Sequence, residues 1–230
     1  MSGARLLACF GLACALAALA LAPLQLVLPR LSLPPGLSAT AVEGSLWNGH
    51  LRQARWHGTE IGDLRLGLAP LPLLAGRTRL WLRAPGAALA LHAGRIRGVS
   101  GARGVLPLPA PPGLSLRAAM EDADLLFDDA SCRTASGRVR VELALDGDAL
   151  PPMVLAGSPA CEGQGGRLAL RPEQAGGALW LEAVLDIDRE GRWRLQTTSR
   201  TDDPTLRAAL LAAGFQDAPG GLSRVDAGRP

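Results

Sequence analysis

Apolar and polar positions alternate with a period of two, not 3.6, along most of this 230-residue chain. In Asp63-Leu64-Arg65-Leu66-Gly67-Leu68 the leucines share one face. Arg138-Val139-Arg140-Val141-Glu142-Leu143-Ala144-Leu145 does the same with Val139, Val141, Leu143 and Leu145. That periodicity predicts half-buried strands. Further strands are predicted at 78–84, 87–93, 95–106, 115–127, 166–170, 178–187 and 192–199, separated by Ala84-Pro85-Gly86, Gly147-Asp148, Gly176-Gly177 and Asp188-Arg189-Glu190-Gly191. Short strands at this spacing predict a mainly β fold, an antiparallel meander forming an open, curved sheet.

Residues 43–56 read as two extended runs folded about Trp47-Asn48-Gly49-His50. Asn-Gly predicts a two-residue type I′ turn, because both residues tolerate positive φ. One short C-terminal helix is signalled. Asp202 or Asp203 can cap it, Pro204 suits its first turn, Leu206, Leu210 and Leu211 make an apolar stripe, and Gly214 ends it. The remainder, 217–230, is rich in Gly, Pro and charge and predicts a flexible tail. Pro107-Leu108-Pro109-Ala110-Pro111-Pro112-Gly113 reads as a rigid turn or a linker that would subdivide the sheet.

The pattern differs at the N-terminus, where no charge occurs from Leu6 to Leu28. A helix of that length reaches about 35 Å, enough for a hydrocarbon core of roughly 30 Å. A single transmembrane anchor within 1–30 is therefore predicted, followed by a β domain over 31–216. Cleavage at Ala18-Leu19-Ala20 or Ala20-Leu21-Ala22 competes with retention, but Pro23 would adjoin the scissile bond and the apolar run continues past an ordinary signal sequence. Lipid attachment at Cys14 is a weaker third reading. Arg5 precedes the segment, and the positive-inside bias keeps the short tail cytoplasmic and exports the body.

The 24 basic residues are all arginine and face 21 acidic ones. That near balance argues against nucleic acid as a partner. Residues 31–117 nevertheless carry an excess of arginine and 118–230 an excess of carboxylates, so the body is either polarised or covered by interdigitating charges. Cys132 and Cys161 fall in the exported part, where two thiols often pair; two buried free thiols are the alternative.

Chemistry is thinly signalled. The chain has no nucleophile elbow, zinc-protease motif, phosphate loop or dinucleotide fingerprint, and His50, His57 and His92 stand far upstream of the cysteines. Glu121-Asp122-Ala123-Asp124 lacks the glycine placement of a calcium loop and reads as a solvated strand edge. No enzyme activity, metal, cofactor or small-molecule substrate is expected. Trp47, Trp56, Trp81, Trp180 and Trp193 fill core positions by default. Trp47, beside the first turn, is also a candidate docking residue.

Glu43-Gly44-Ser45-Leu46-Trp47-Asn48-Gly49, then Gly62-Asp63-Leu64 with Pro70-Leu71-Pro72-Leu73-Leu74-Ala75-Gly76-Arg77, resembles the type II secretion system protein N family, also called general secretion pathway protein N. The resemblance implies a single-pass inner-membrane protein of Gram-negative bacteria, with a periplasmic β domain that serves export of folded proteins across the outer membrane. Its partners would be other type II secretion components, met at strand edges or on the sheet surface. The alternative is a single-anchor lipid or lipopolysaccharide transport component, which requires an open, continuous apolar groove.

Overall fold

The computed structural model describes residues 10–11, 17, 21–27, 36–110, 113–129, 131–145, 152–174 and 177–229. The first edge comprises β1 (Leu37–Ser38) and β2 (Ala41–Gly44), two pieces of one broken strand that both pair with β3 (Gly49–Trp56). The meander continues through β4 (Thr59–Leu68), β5 (Thr78–Ala84), β6 (Ala87–Ala93), β7 (Arg97–Leu108), β8 (Leu114–Phe127) and β9 (Cys132–Leu145). Next come β10 (Met153–Gly157), β11 (Pro159–Glu162), β12 (Gly165–Pro172), β13 (Trp180–Ile187) and β14 (Trp193–Arg200). The last strands are β15 (Gln216–Ala218) and β16 (Gly221–Gly228). All join one antiparallel sheet in the order β1-β3-β4-β5-β6-β7-β8-β9-β10-β12-β13-β14-β16-β15, with β2 on β3 and β11 on β12. The end strands do not pair, so the sheet is open.

Among the described residues three short helical elements accompany it: α1 (Leu24–Val27), α2 (Pro70–Leu74) and α3 (Pro204–Ala212). The Asp203 carboxylate caps α3 by accepting from the amides of Thr205 and Leu206. Gly214 follows at φ +90°. Yet no residue of α3 is buried and Leu211 is exposed, so the predicted stripe does not enter a core.

Alternation along the strands gives the sheet one apolar face. Leu51, Leu64, Leu66, Leu68, Leu80 and Leu82 are buried together, and Leu24 joins them from outside the sheet. A second cluster gathers Leu155, Leu170, Leu181 and Ala183, with Val139, Val141 and Leu143 packed against it. Burying each leucine contributes about 2 kcal/mol.

Bending accompanies irregular pairing. The ladder slips at Leu51/Ala54, Ala88/Ala90, Val99/Ala102 and Glu121/Asp124. Such bulges add an unpaired residue to one strand and increase its local bend. Two are braced alike. Gln53, at φ +48°, donates its amide to Asp63 Oδ1 at 3.0 Å, and Gly101, at φ +58°, donates to Asp124 Oδ1 at 2.6 Å.

Several expectations need correction. Residues 217–230 do not form a frayed tail: β16 pairs with β14 from Ser199↔Leu222 to Trp193↔Gly228, and β15 covers its start. The segment around 107–113 does not subdivide the sheet, because Pro107↔Arg117 and Leu108↔Leu116 stay in register across the β7–β8 hairpin. The acidic run at 121–124 lies within β8, flanked by β7 and β9, and not at an edge. Strands β10 and β11 and helix α2 were not predicted. Most of Leu6–Leu28 lies outside the described residues; among those described, no helix is long and apolar enough to cross a membrane.

Beyond the β9–β10 ladder, the second half of the sheet is tied back to the β8–β9 turn. Cys132 is bonded to Cys161, with Cα atoms 5.5 Å apart. The Cys132 amide donates to Gln164 O at 3.0 Å, and the Arg189 guanidinium donates to the Asp129 carbonyl. The Leu125 side chain occupies the space that a Cβ on Gly166 would need. The bridge closes a loop with a sequence separation of 29, worth roughly 3–4 kcal/mol by restriction of the unfolded chain. Non-reducing peptide mapping of periplasmically expressed protein is expected to recover the linked Cys132 and Cys161 peptides. Replacing both with serine should lower stability by about that amount; free thiols in the mapped material would contradict the bond.

Candidate functional site

The residues that carry the family-like stretch fold into the first edge of the sheet. β2 and β3 pair from Ala41↔Arg52 to Gly44↔Gly49. Ser45 and Asn48 exchange amide-to-carbonyl bonds of 3.2 Å in both directions, leaving Leu46-Trp47 at the tip. The predicted Asn48-Gly49 type I′ turn is therefore not formed: Gly49 begins β3, and neither it nor Asn48 has positive φ. Gly44 takes that role at φ +86°.

Close approach explains Gly49. A Cβ there would collide with the Leu24 side chain, which is 0% exposed. The Leu46 amide donates to Ala22 O and the Leu68 amide to Leu46 O, each at 3.0 Å. Pro23 bridges Ser45, and Gln25 Nε2 donates to Val42 O at 2.7 Å. The end of the predicted anchor is thus clasped by the hairpin. Sequence reasoning assigned Leu24 to the bilayer, and no local signal pointed to its contact with Gly49.

Trp47 is half-buried against the first core, and its carbonyl lies where a Cβ on Gly67 would fall. The Trp81 ring leans over the same glycine, which is its registered neighbour. Arg83 stacks on that ring with its Cζ 5.5 Å from the centroid. Glu43 holds Arg52 by two bonds of 3.0 and 3.2 Å, the first of which chiefly raises the guanidinium above its ordinary pKa. These are packing and pairing roles, and nothing in them positions a nucleophile beside a base.

Charge is distributed unevenly in space. Most carboxylates of the second half meet arginines there: Arg140 with Glu121 and Glu173, Arg167 with Glu162 and Asp186, Arg171 with Glu182. In the first half, Arg65 and Arg83 stand directly opposite each other, and neither has a carboxylate partner among the described residues.

At the far edge, β15 covers only Gly221–Ser223, leaving 224–228 of β16 without a strand on that side among the described residues. Val225 projects there, 48% exposed. At the first edge the strand is broken at 39–40 and Gln25 occupies a carbonyl, so the C-terminal edge is the better template for an added strand. Over β3–β5 the leucines of the apolar face are buried against one another.

The profile of the family described as type II secretion system (T2SS), protein N, matches residues 35–224, from just before β1 into β16. The chain belongs to that family. A curated protein N of the type II secretion system, from Vibrio cholerae serotype O1, is 42% identical over 59 residues, which cover 26% of this chain and 23% of that relative's length. No solved structure matches. In this protein N family member the stretch Glu43, Gly44, Trp47, Asn48 and Gly49 is brought together as one turn, whereas Cys132 and Cys161 tie the start of β9 to β11.

Two tests follow from the glycines. Gly67→Ala meets backbone and should destabilise by about 2–3 kcal/mol, at the upper end of overpacking costs. Gly49→Ala meets a side chain that can shift, and should cost less. Adding Leu24→Ala should relieve Gly49→Ala but not Gly67→Ala, as read by thermal melts of the single and double variants. Non-additivity in the second pair would refute the assigned contacts.

His92, half-buried on β6, shares a 2.8 Å hydrogen bond with Ser100 Oγ. Burial first, then the positive charge of Arg79, hold its ring below the ordinary histidine value, against an opposing pull from Asp124. The unfolded chain then binds a proton more readily than the folded one. Stability is full above the unfolded value of about 6.5 and is lost as pH falls toward the folded value. Melting midpoints should drop between about pH 7.5 and 5, and His92→Gln should remove part of that drop; an identical drop in the variant would contradict the assignment.

Proposed function

We propose that this protein N family member is an accessory component of the type II secretion machinery, acting by binding and not by turnover. Its N-terminal segment anchors it in the inner membrane with the short tail cytoplasmic, and the sheet stands in the periplasm as a platform for other secretion components. The observation that carries this reading is the family match over residues 35–224, which spans the sheet from its first edge to β16. The uncovered 224–228 edge supports strand addition as the mode of contact. That edge is short, so its affinity would be modest and reversible, which suits a machine that assembles around its cargo.

Deleting the gene in its own bacterium should leave folded exoproteins in the periplasm and deplete them from the medium. A photo-crosslinking amino acid at Val225 should then capture a type II secretion component, identified by mass spectrometry, while one at Val105 on the β7 surface should not. Normal secretion after deletion would overturn the role. Secretion loss without any Val225 adduct would overturn the edge.

A further inference from the structure

We propose that the end of the sheet bearing the Leu46-Trp47 turn and α2 rests on the lipid bilayer, with Leu71 inserted among the lipids and Arg77 and Arg79 meeting anionic headgroups. The proposal builds on the anchor reading above and adds a second membrane contact, made by the β domain itself.

The turn, α2 and the N-terminal segment meet at one end of the strands. Leu68 donates to Leu46 O, Leu46 to Ala22 O, and Ala69 to Arg79 O at 2.9 Å, so these elements are backbone-bonded into one surface. Within α2, Leu73 packs on the first core while Leu71 points out, 78% exposed. Leu21, where the apolar run meets the clasp, is 77% exposed. An isolated apolar side chain on a surface needs no explanation. Two fully projecting leucines at one end, with exposed arginines beside them, match the composition of a membrane interface, where apolar groups enter and guanidinium groups reach phosphates. Neither Arg77 nor Arg79 has a carboxylate partner among the described residues.

The occupant is named by the chain itself. Because Ala22 and Leu24 are held by the sheet, only Leu6–Leu21 remains to span. As a helix those residues reach about 24 Å, against roughly 30 Å of hydrocarbon. A span shorter than the bilayer is accommodated by local thinning and by flanking residues that meet the interface. The sheet end bonded to Ala22 supplies those flanking residues, so it meets the headgroup layer and Leu71 with it. An acidic protein surface would satisfy the arginines but would leave the short span and Leu71 unexplained.

The test uses the full chain reconstituted in vesicles of phosphatidylethanolamine and phosphatidylglycerol, with no other protein. Spin labels are placed at Leu71→Cys or Val105→Cys in a Cys9→Ala, Cys14→Ala background, and at native Cys14 in a Cys9→Ala chain. Accessibility to oxygen and to a water-soluble nickel chelate then reports depth. The Cys14 and Leu71→Cys labels should both favour oxygen, and the Val105→Cys label, toward the opposite end of β7, should favour nickel. Arg77→Gln with Arg79→Gln should move the Leu71→Cys label toward water, as should replacing the anionic lipid by a neutral one. A nickel-accessible Leu71→Cys label beside a lipid-embedded Cys14 label would overturn this inference while leaving the anchor intact. A water-exposed Cys14 label would overturn both. Protection of Leu71→Cys in native membranes but not in vesicles would assign the surface to a protein partner and likewise overturn it.

Discussion

An open antiparallel sheet with one apolar face and, among the described residues, no layer of helices over it must cover that face with itself. Everything else in this chain follows from that requirement. α3 buries nothing, and α1 and α2 are single turns, so leucines from neighbouring strands have to converge across a bend. A flat ladder would leave them in water. The bulges supply the bend, and the two carboxylates Asp63 and Asp124 stabilise it by taking the amide that each bulge leaves without a ladder partner. Glycines set opposite bulky residues complete the arrangement: Trp81 over Gly67 and Trp193 over Gly228 fill the gap that a missing side chain leaves on a paired strand.

That logic also separates what the sequence disclosed from what it concealed. Period-two runs such as 63–68 and 138–145 were legible because half-burial writes itself into alternation. β10 and β11 were not, since Met153–Gly157 and Pro159–Glu162 are short and broken at Ser158, where the strand changes its partner from β9 to the outer part of β12 alone. The tail was misread because Gly and charge suggest fraying, yet Leu222 is buried against Ser199 and the strand needs only its alternate residues to be apolar. The turn at Leu46-Trp47 shows the limit most clearly. Asn-Gly is a strong local signal, but the space beside Gly49 is claimed by Leu24, a residue some twenty-five positions earlier in the chain. Long-range packing overrode local preference.

The candidate site was legible only as a name. Glu43, Gly44, Trp47, Asn48 and Gly49 do form one turn, but each is explained by packing: Glu43 by Arg52, Gly44 by its φ, Trp47 by Gly67, Gly49 by Leu24. The acidic residues that resembled a cation site serve cross-strand partners, Asp124 accepting from Gly101 and Ser136. A family signature made of structural constraints is what a binding platform would be expected to keep, because its contacts are made by backbone edges and surfaces that carry no fixed side-chain code.

The two cores are built by different physics, and this bears on how the protein is assembled. The first is almost entirely leucine and includes Leu24 from the segment before the sheet, and among the described residues Arg65 and Arg83 beside it have no carboxylate partner. The second lies in the half of the sheet that is tied by a disulfide, with cross-strand ion pairs on the face opposite its leucines. Exposed pairs of that kind contribute little singly, so the covalent tie matters most there. On the proposed topology the N-terminal tail stays cytoplasmic and the body is exported behind the anchor, so the leucine hairpins would emerge while Leu24 is held near the bilayer, and the first core would close only when Leu24 reaches Gly49. The second core has no such dependence, since its tie forms between Cys132 and Cys161 once both are in an oxidising compartment. On the proposed topology, folding of the half that packs on Leu24 would be coupled to insertion, and that of the half tied by Cys132 and Cys161 to oxidation. The sheet becomes continuous only where β9 meets β10.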